Sequence, residues 1–205
     1  DAEYAALLPP IFSAEALEAD GTADQLLRDS ARYATELSAR LRERIYDEIV
    51  PQVAVEIAQR LTRTGAIQLD ADGLAVAYRV TLHLLFRLIF QAYAEDRGLL
   101  PAGRNEGFDA NSLKTNARRL LESDLEEFGT ASTIWYDLLQ VWNAIDQGNP
   151  QWQIPSYNGG LFSTDPNRSP EGALLAKIEL PDNVLGPALK SLLINSAYAA
   201  SSGSS

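Results

Sequence analysis

The residues that could do chemistry in this chain are few. Its 205 residues include no Cys and a single His, His83. That excludes disulfides, thiol nucleophiles, thiolate metal sites and multi-His metal centres. One His limits any catalytic triad to one candidate base, and no Gly-x-Ser-x-Gly elbow offers it a nucleophile. Gly159-Gly160 stands alone, without a Gly-x-Gly-x-x-Gly fingerprint or a Walker loop to cradle phosphate. Carboxylate pairs occur at Glu95-Asp96 and Glu126-Glu127. Neighbours on a helix project about 100° apart, so neither pair converges easily on one substrate. Glu126-Glu127 reads as a solvated face. His83 lies inside the most apolar stretch and reads as a packed, hydrogen-bonded core residue. Glu95 adjoins Arg97 and is expected to make an ion pair or a helix-end hydrogen bond.

Cations gather in two places. Arg28 to Arg44 carries five Arg, with Asp29, Glu36 and Glu43 interleaved. Lys114, Arg118 and Arg119 share one short helical stretch with few acids, which makes them the better candidates for a DNA-backbone contact; the ordinary reading is a solvated face. The overall balance runs the other way. Seventeen basic against 28 acidic residues leave a net charge of -11, opposite in sign to a free-standing nucleic-acid binder. Any DNA binding by the isolated chain should therefore be weak and salt-dependent.

The elements that must position these residues are helical. Composition is that of a globular chain, 46% hydrophobic and 22% charged, and about 70% of the unfolded surface of a chain this long can be buried, so the core needs no staples. Residues 1–21 form a lead-in with a short helix over Ala14–Glu18. Thr22-Ala23-Asp24-Gln25 matches a capping box. The long helix that follows carries Leu27, Ala34, Leu37, Leu41, Ile45 and Ile49 as one stripe. Pro51 kinks or ends it, Gln52–Leu61 continues as helix, and Gly65 stops it. Ala66–Leu69 could form a short strand. Asp70 or Asp72 caps a central apolar helix, Leu74–Asp96, whose polar residues Arg79, His83, Arg87, Gln91 and Glu95 recur every fourth position. Arg and His near its middle make it a poor bilayer span and a good buried helix; Arg87, mid-ridge, is expected to be buried and paired with a carboxylate from another helix. Gly98 and Pro101 stop it. Leu99–Asp109 reads as loop, Asn111–Glu122 as helix, Ser123–Gly129 as an acidic turn, and Thr130 or Ser132 as the cap of a helix to about Asp146, ended by Gly148. Gln151–Pro181 reads as irregular, a length that is usually functional or packed. Asp182 or Asn183 opens the last helix, to about Asn195. The expected architecture is all-α: an irregular bundle around residues 74–96, with a long ordered loop near the C-terminus. Residues 22–195 form the domain, and the Ser/Gly stretch 196–205 a tail or linker.

Two stretches carry more than periodicity. Leu84-Leu85-Phe86-Arg87-Leu88-Ile89-Phe90-Gln91-Ala92-Tyr93-Ala94-Glu95-Asp96-Arg97-Gly98-Leu99-Leu100-Pro101 is followed later by Tyr157-Asn158-Gly159-Gly160-Leu161-Phe162. In this order they resemble the helical spacer region of type IIG and type IIL restriction–modification proteins and of the related phage-exclusion (BREX) adenine-specific DNA methyltransferases. The resemblance spans Thr22 to about Leu193. It implies a helical piece that positions the catalytic and DNA-recognition domains of a parent chain, with DNA as partner only in that context. S-adenosylmethionine would serve the parent, with or without endonuclease activity. The Asn-Pro-Pro-Tyr motif, the Gly-rich cofactor motif and the nuclease's acidic-Lys core are absent, so no catalytic, cofactor-binding or metal residue carries over and no activity is expected of this piece. Only architecture carries over, at Arg87, Glu95, Asp96, Arg97, Gly98, Tyr157, Asn158, Gly159, Gly160 and Phe162. Tyr157, Leu161 and Phe162 are expected to anchor a loop folded back on the core, with Asn-Gly-Gly supplying a left-handed turn. The absence of Met suggests a piece of a larger protein. With no signal peptide and no membrane span expected, the location is expected to be cytoplasmic. A stand-alone helical protein-interaction module is the alternative.

Overall fold

Pro51 decides where the first described helix begins. The computed structural model describes residues 47, 49–122, 129–157 and 159–194. Helix α1 spans Val50–Arg63 with Pro51 in its first turn, where a missing N–H costs nothing. Its buried edge is Val50, Val53, Ile57, Ala58 and Leu61, and Gly65 ends it at φ +72. The helices expected before Ile49, the acidic turn at 123–128, Asn158 and the tail lie outside the described residues.

The strand expected at Ala66–Leu69 is a bend. A strand needs a partner; among the described residues no strand forms, and the nearest thing to sheet is one bridge between Asn149 and Ile154. Helix α2, Ala71–Asp96, follows at once. Of the two candidate caps, Asp70 serves: its carboxylate accepts from Gly73 N at 2.8 Å, leaving Asp72 in the first turn. Gly73 must be glycine, because a Cβ there would meet Gln68 O at 1.8 Å. Helix α2 packs against α1 on one side and stops at Gly98, φ +67.

The expected loop 99–109 contains a helical turn, α3, Glu106–Asp109, capped by Asn105. It is too short to show a period. Its anchor is Phe108, fully buried and edge-on to Trp152 at 5.7 Å. Helix α4 spans Leu113–Glu122 and α5 spans Thr133–Gln147. Ser132 occupies the cap position of α5 but makes no capping bond; the Asp182 carboxylate accepts from Thr133 N and Ile134 N instead, at 3.2 and 3.0 Å. Gly148 ends α5 at φ +82. The expected irregular region holds helix α6, Pro170–Leu175. Helix α7, Asp182–Leu189, runs on into a π-helical turn, Lys190–Ile194. The fold is all-α around a central apolar helix. Trp135 and Trp142, edge to face at 5.7 Å, fill its middle beside α2.

Candidate functional site: a polar clasp on the central helix

The ridge of polar residues on α2 is where chemistry and structure meet. Arg87 is 1% exposed. Its Nε donates to Leu161 O at 2.7 Å and its Nη2 to Ser163 O at 3.1 Å. The guanidinium carbon lies 5.1 Å from the centre of the Trp142 ring and 5.8 Å from that of Phe162. The expected carboxylate partner is not there: among the described residues no acid lies within ion-pair distance of Arg87. Backbone carbonyls and aromatic faces replace it, supplying negative potential without desolvating a second charge. Burial pulls the guanidinium down to about 10, and the field of Asp146 works against that fall. Arg87 therefore stays charged at neutral pH.

One turn earlier, half-buried His83 donates from Nε2 to the same Leu161 carbonyl at 2.8 Å; the carbonyl can only accept, which assigns the tautomer. Ser169 Oγ lies 3.4 Å from that nitrogen. The pair is not a nucleophile and its base. The nitrogen that would take the proton already carries one committed to Leu161, and Ser169 is buried and caps α6, accepting from Gly172 N at 3.2 Å. Burial and the neighbouring Arg87 lower the His83 pKa, against the Leu161 bond and the Glu171 charge. Glu171 in turn faces Arg79 at 3.4 Å. The expectation of a hydrogen-bonded, packed His holds. Gly172 closes the clasp: a Cβ there would meet Ser163 O at 2.2 Å, Ser169 Oγ at 2.6 Å and Arg87 Nη2 at 2.7 Å.

The lower half of the ridge caps a helix. Trp142 Nε1 donates to Gln91 Oε1, and Gln91 Nε2 donates to Glu95 Oε1, both at 2.9 Å. Glu95 then accepts from Leu113 N at 2.9 Å and from Lys114 N at 3.1 Å, the first amides of α4. Glu95 thus makes the expected helix-end bond, but at the start of another helix, where its charge meets the positive end of the dipole. Burial raises its pKa against these bonds. Asp96 is exposed and pairs with Lys114 at 3.0 Å; Arg97 covers the Tyr93 ring at 5.5 Å.

The Tyr157–Phe162 loop folds back as expected, though its anchors differ in kind. Phe162 is buried, edge-on to Phe90 at 5.4 Å, and Leu161 is half-buried. Tyr157 is exposed and held by hydrogen bonds: its N donates to Ile145 O at 3.0 Å, its hydroxyl to Leu99 O at 2.9 Å. Of the left-handed turn expected at Asn158-Gly159-Gly160, neither glycine has positive φ, and Asn158 lies outside the described residues. Ser163 N closes a turn onto Gly160 O without positive φ, and a Cβ on Gly160 would meet only Arg168 O at 3.6 Å. The reversals that need positive φ come earlier, at Gly148 and at Gln153, φ 59. Of the cations, Lys114 is tied to Asp96 and Arg119 to Asp137 at 3.3 Å, while Arg118 is exposed. Among the described residues no group of three acidic or His side chains could hold a metal ion.

No family model, curated protein or solved structure matches this chain.

Sequence reading missed Ser163, Ser169 and Gly172. The signal for the last two was present: Ser169-Pro170-Glu171 is a hydroxyl cap, a Pro at the first helical position and an acid in the first turn. Ser163 contributes only its carbonyl, which no residue type advertises.

Proposed function

We propose that this chain is a helical spacer from a large DNA methyltransferase or restriction–modification protein of a phage-defence system. It would work as a rigid element between the catalytic and DNA-recognition domains of its parent. One observation carries the reading. The two stretches that resemble that family, far apart in the chain, are bonded to each other: Arg87 to Leu161 O and Tyr157 to Leu99 O, with Ser163 O, just past the second stretch, also accepting from Arg87. A joint of satisfied polar bonds, buried at Arg87 and Ser163, resists bending better than apolar packing alone. S-adenosylmethionine, DNA and the cytoplasmic setting belong to the parent on this reading. Lys114, Arg118 and Arg119 are its candidates for touching the DNA backbone there.

The coding sequence on either side tests it. An Asn-Pro-Pro-Tyr or Asp-Pro-Pro-Tyr motif downstream is expected, together with adenine methylation by the parent and no S-adenosylmethionine binding by this piece in calorimetry. Micromolar cofactor binding by the piece, or a complete short gene ending near Ser205, would sink the reading. The exposed apolar side chains on the outer face of α2 favour a second reading, a stand-alone helical interaction module.

A further inference from the structure

The outer face of α2 shows a pattern that its buried ridge does not explain. Tyr78, Leu82, Phe86, Ile89, Phe90 and Tyr93 recur at steps of three and four, so they form one stripe along the helix. Phe86 is 59% exposed, Tyr93 53%, Ile89 44%, Tyr78 43% and Phe90 37%; Leu82 is half-buried. Taking 150–250 Å² for a whole aromatic side chain, these exposed fractions amount to roughly 450 Å² of apolar surface, interrupted near its first turns by exposed Arg79. That area lies within the roughly 300–600 Å² of a typical monomer's largest apolar patch, a patch that is often functional.

The stripe reads nearly the same in both directions from Phe86: Tyr78 and Leu82 precede it by eight and four, Phe90 and Tyr93 follow it by four and seven. A face that is its own reverse suits an isologous contact, in which the same patch meets itself across a twofold axis. We propose that this face pairs with the same face of a second copy of this chain, the two α2 helices antiparallel and the axis near Phe86. In that register Phe86 meets Phe86, Leu82 meets Ile89 and Phe90, and Tyr78 meets Tyr93. At a helical repeat of 3.6 residues, exposed Asp72 of one copy falls on the same edge as exposed Arg97 of the other and within one turn of it. Exposed Arg79 lies on that edge too, one turn further in, and is held by Glu171 at 3.4 Å; Asp72 and Arg97 therefore close both ends with opposite charges, and a parallel pairing would lose this complementarity. A standard interface needs about 800 Å² per partner. The stripe supplies more than half, and exposed Leu74, Ala75, Leu99 and Tyr157 border its ends. The pairing does not rest on the spacer reading and stands whether or not that reading does.

The absence of Cys makes the test direct. The full chain carrying Phe86→Cys should cross-link to itself under mild oxidation, because the two introduced thiols lie beside the axis. The chain carrying Ala75→Cys alone should not, because its two thiols lie at opposite ends of the pair. A mixture of Ala75→Cys and Arg97→Cys chains should give the mixed species. In sedimentation equilibrium the unmodified chain should be dimeric at tens of micromolar, and Phe86→Glu should weaken the dimer by about 30-fold or more with the circular dichroism melt unchanged. A wild-type monomer at high concentration, a dimer indifferent to Phe86→Glu, or self-cross-linking at position 75 instead of 86 would each overturn the proposal. So would a monomer in which a thiol at position 86 resists labelling, which would show that the chain covers this face itself.

Discussion

The two faces of α2 depart from the usual order, though the inner one also buries Ala77, Val80, Leu84, Leu85 and Leu88. The inner face carries Arg87, Gln91 and Glu95, all buried, and the outer face carries Phe86, Ile89 and Tyr93, all exposed. Hydropathy alone treats the helix as uniformly apolar, long and apolar enough in length and composition to cross a membrane. The difference lies in what each face can reach. Polar side chains on the inner face meet complementary groups: two loop carbonyls, an indole N–H and the first amides of α4. Burial of a polar group is tolerable only with such partners. The outer face has no equivalent partner among the described residues. A buried polar ridge beside an exposed apolar stripe thus marks which face organises the fold; association through the other is what we propose.

Removing the centre of the inner face should have the largest effect. Arg87→Ala leaves a large cavity and takes the donor from the buried Ser163 carbonyl, while Leu161 O keeps only the His83 bond; a loss of about 3–5 kcal/mol is expected from the denaturant midpoint. If the midpoint barely moves, the inner face does not organise the fold and the comparison fails. Next is Gly172→Ala. Its Cβ would strike the Ser163 carbonyl, which is backbone, and the Arg87 tip; overpacking of this kind costs about 1–3 kcal/mol. Gly160→Val should cost less than about 0.5 kcal/mol, since neither φ nor space opposes it. Equal melting temperatures for the two variants would show that the clasp is looser than its distances imply. Glu95→Ala leaves Leu113 N and Lys114 N uncapped and should cost about 1–2 kcal/mol, whereas Phe86→Glu on the outer face should leave chain stability nearly unchanged.

The smallest effect is on pH dependence, and it sharpens the comparison most. The folded state holds the His83 pKa below its ordinary 6.5. The unfolded chain therefore binds more protons there, and stability falls as pH drops below about 6.5 until the folded form is also protonated. Glu95 runs the other way. Its pKa is raised above 4.5, so acidification through that window favours the folded state. His83→Gln should remove the downward slope below pH 6.5, and Glu95→Gln should leave that slope in place. A His83→Gln chain with the wild-type slope would mean that another group on the inner face titrates.

The sequence by itself determined what is local. A cap at Asp70 or Asp72, a break at Pro51, Gly65, Gly98 and Gly148 as stops, and the polar ridge with its four-residue step on α2 follow from propensity and period, which act over one or two turns; that Asp70 is the cap and that Pro51 sits in the first turn of α1 came from the structure. It also pointed to a packed His83 and a buried Arg87, because a cation in an apolar helix must find partners. Only the tertiary structure decided who those partners are. Arg87 binds the carbonyls of Leu161 and Ser163, Glu95 caps α4, Asp182 caps α5, and Gly172 is the residue that must stay small. Each of these joins distant residues through backbone groups, and backbone groups are the same in every residue, so residue type carries no trace of them. The glycines at 159 and 160 show the converse. They permit a left-handed turn, but permission is not requirement, and the packing of Phe162 and the bonds at Leu161 and Ser163 set the path of that loop instead.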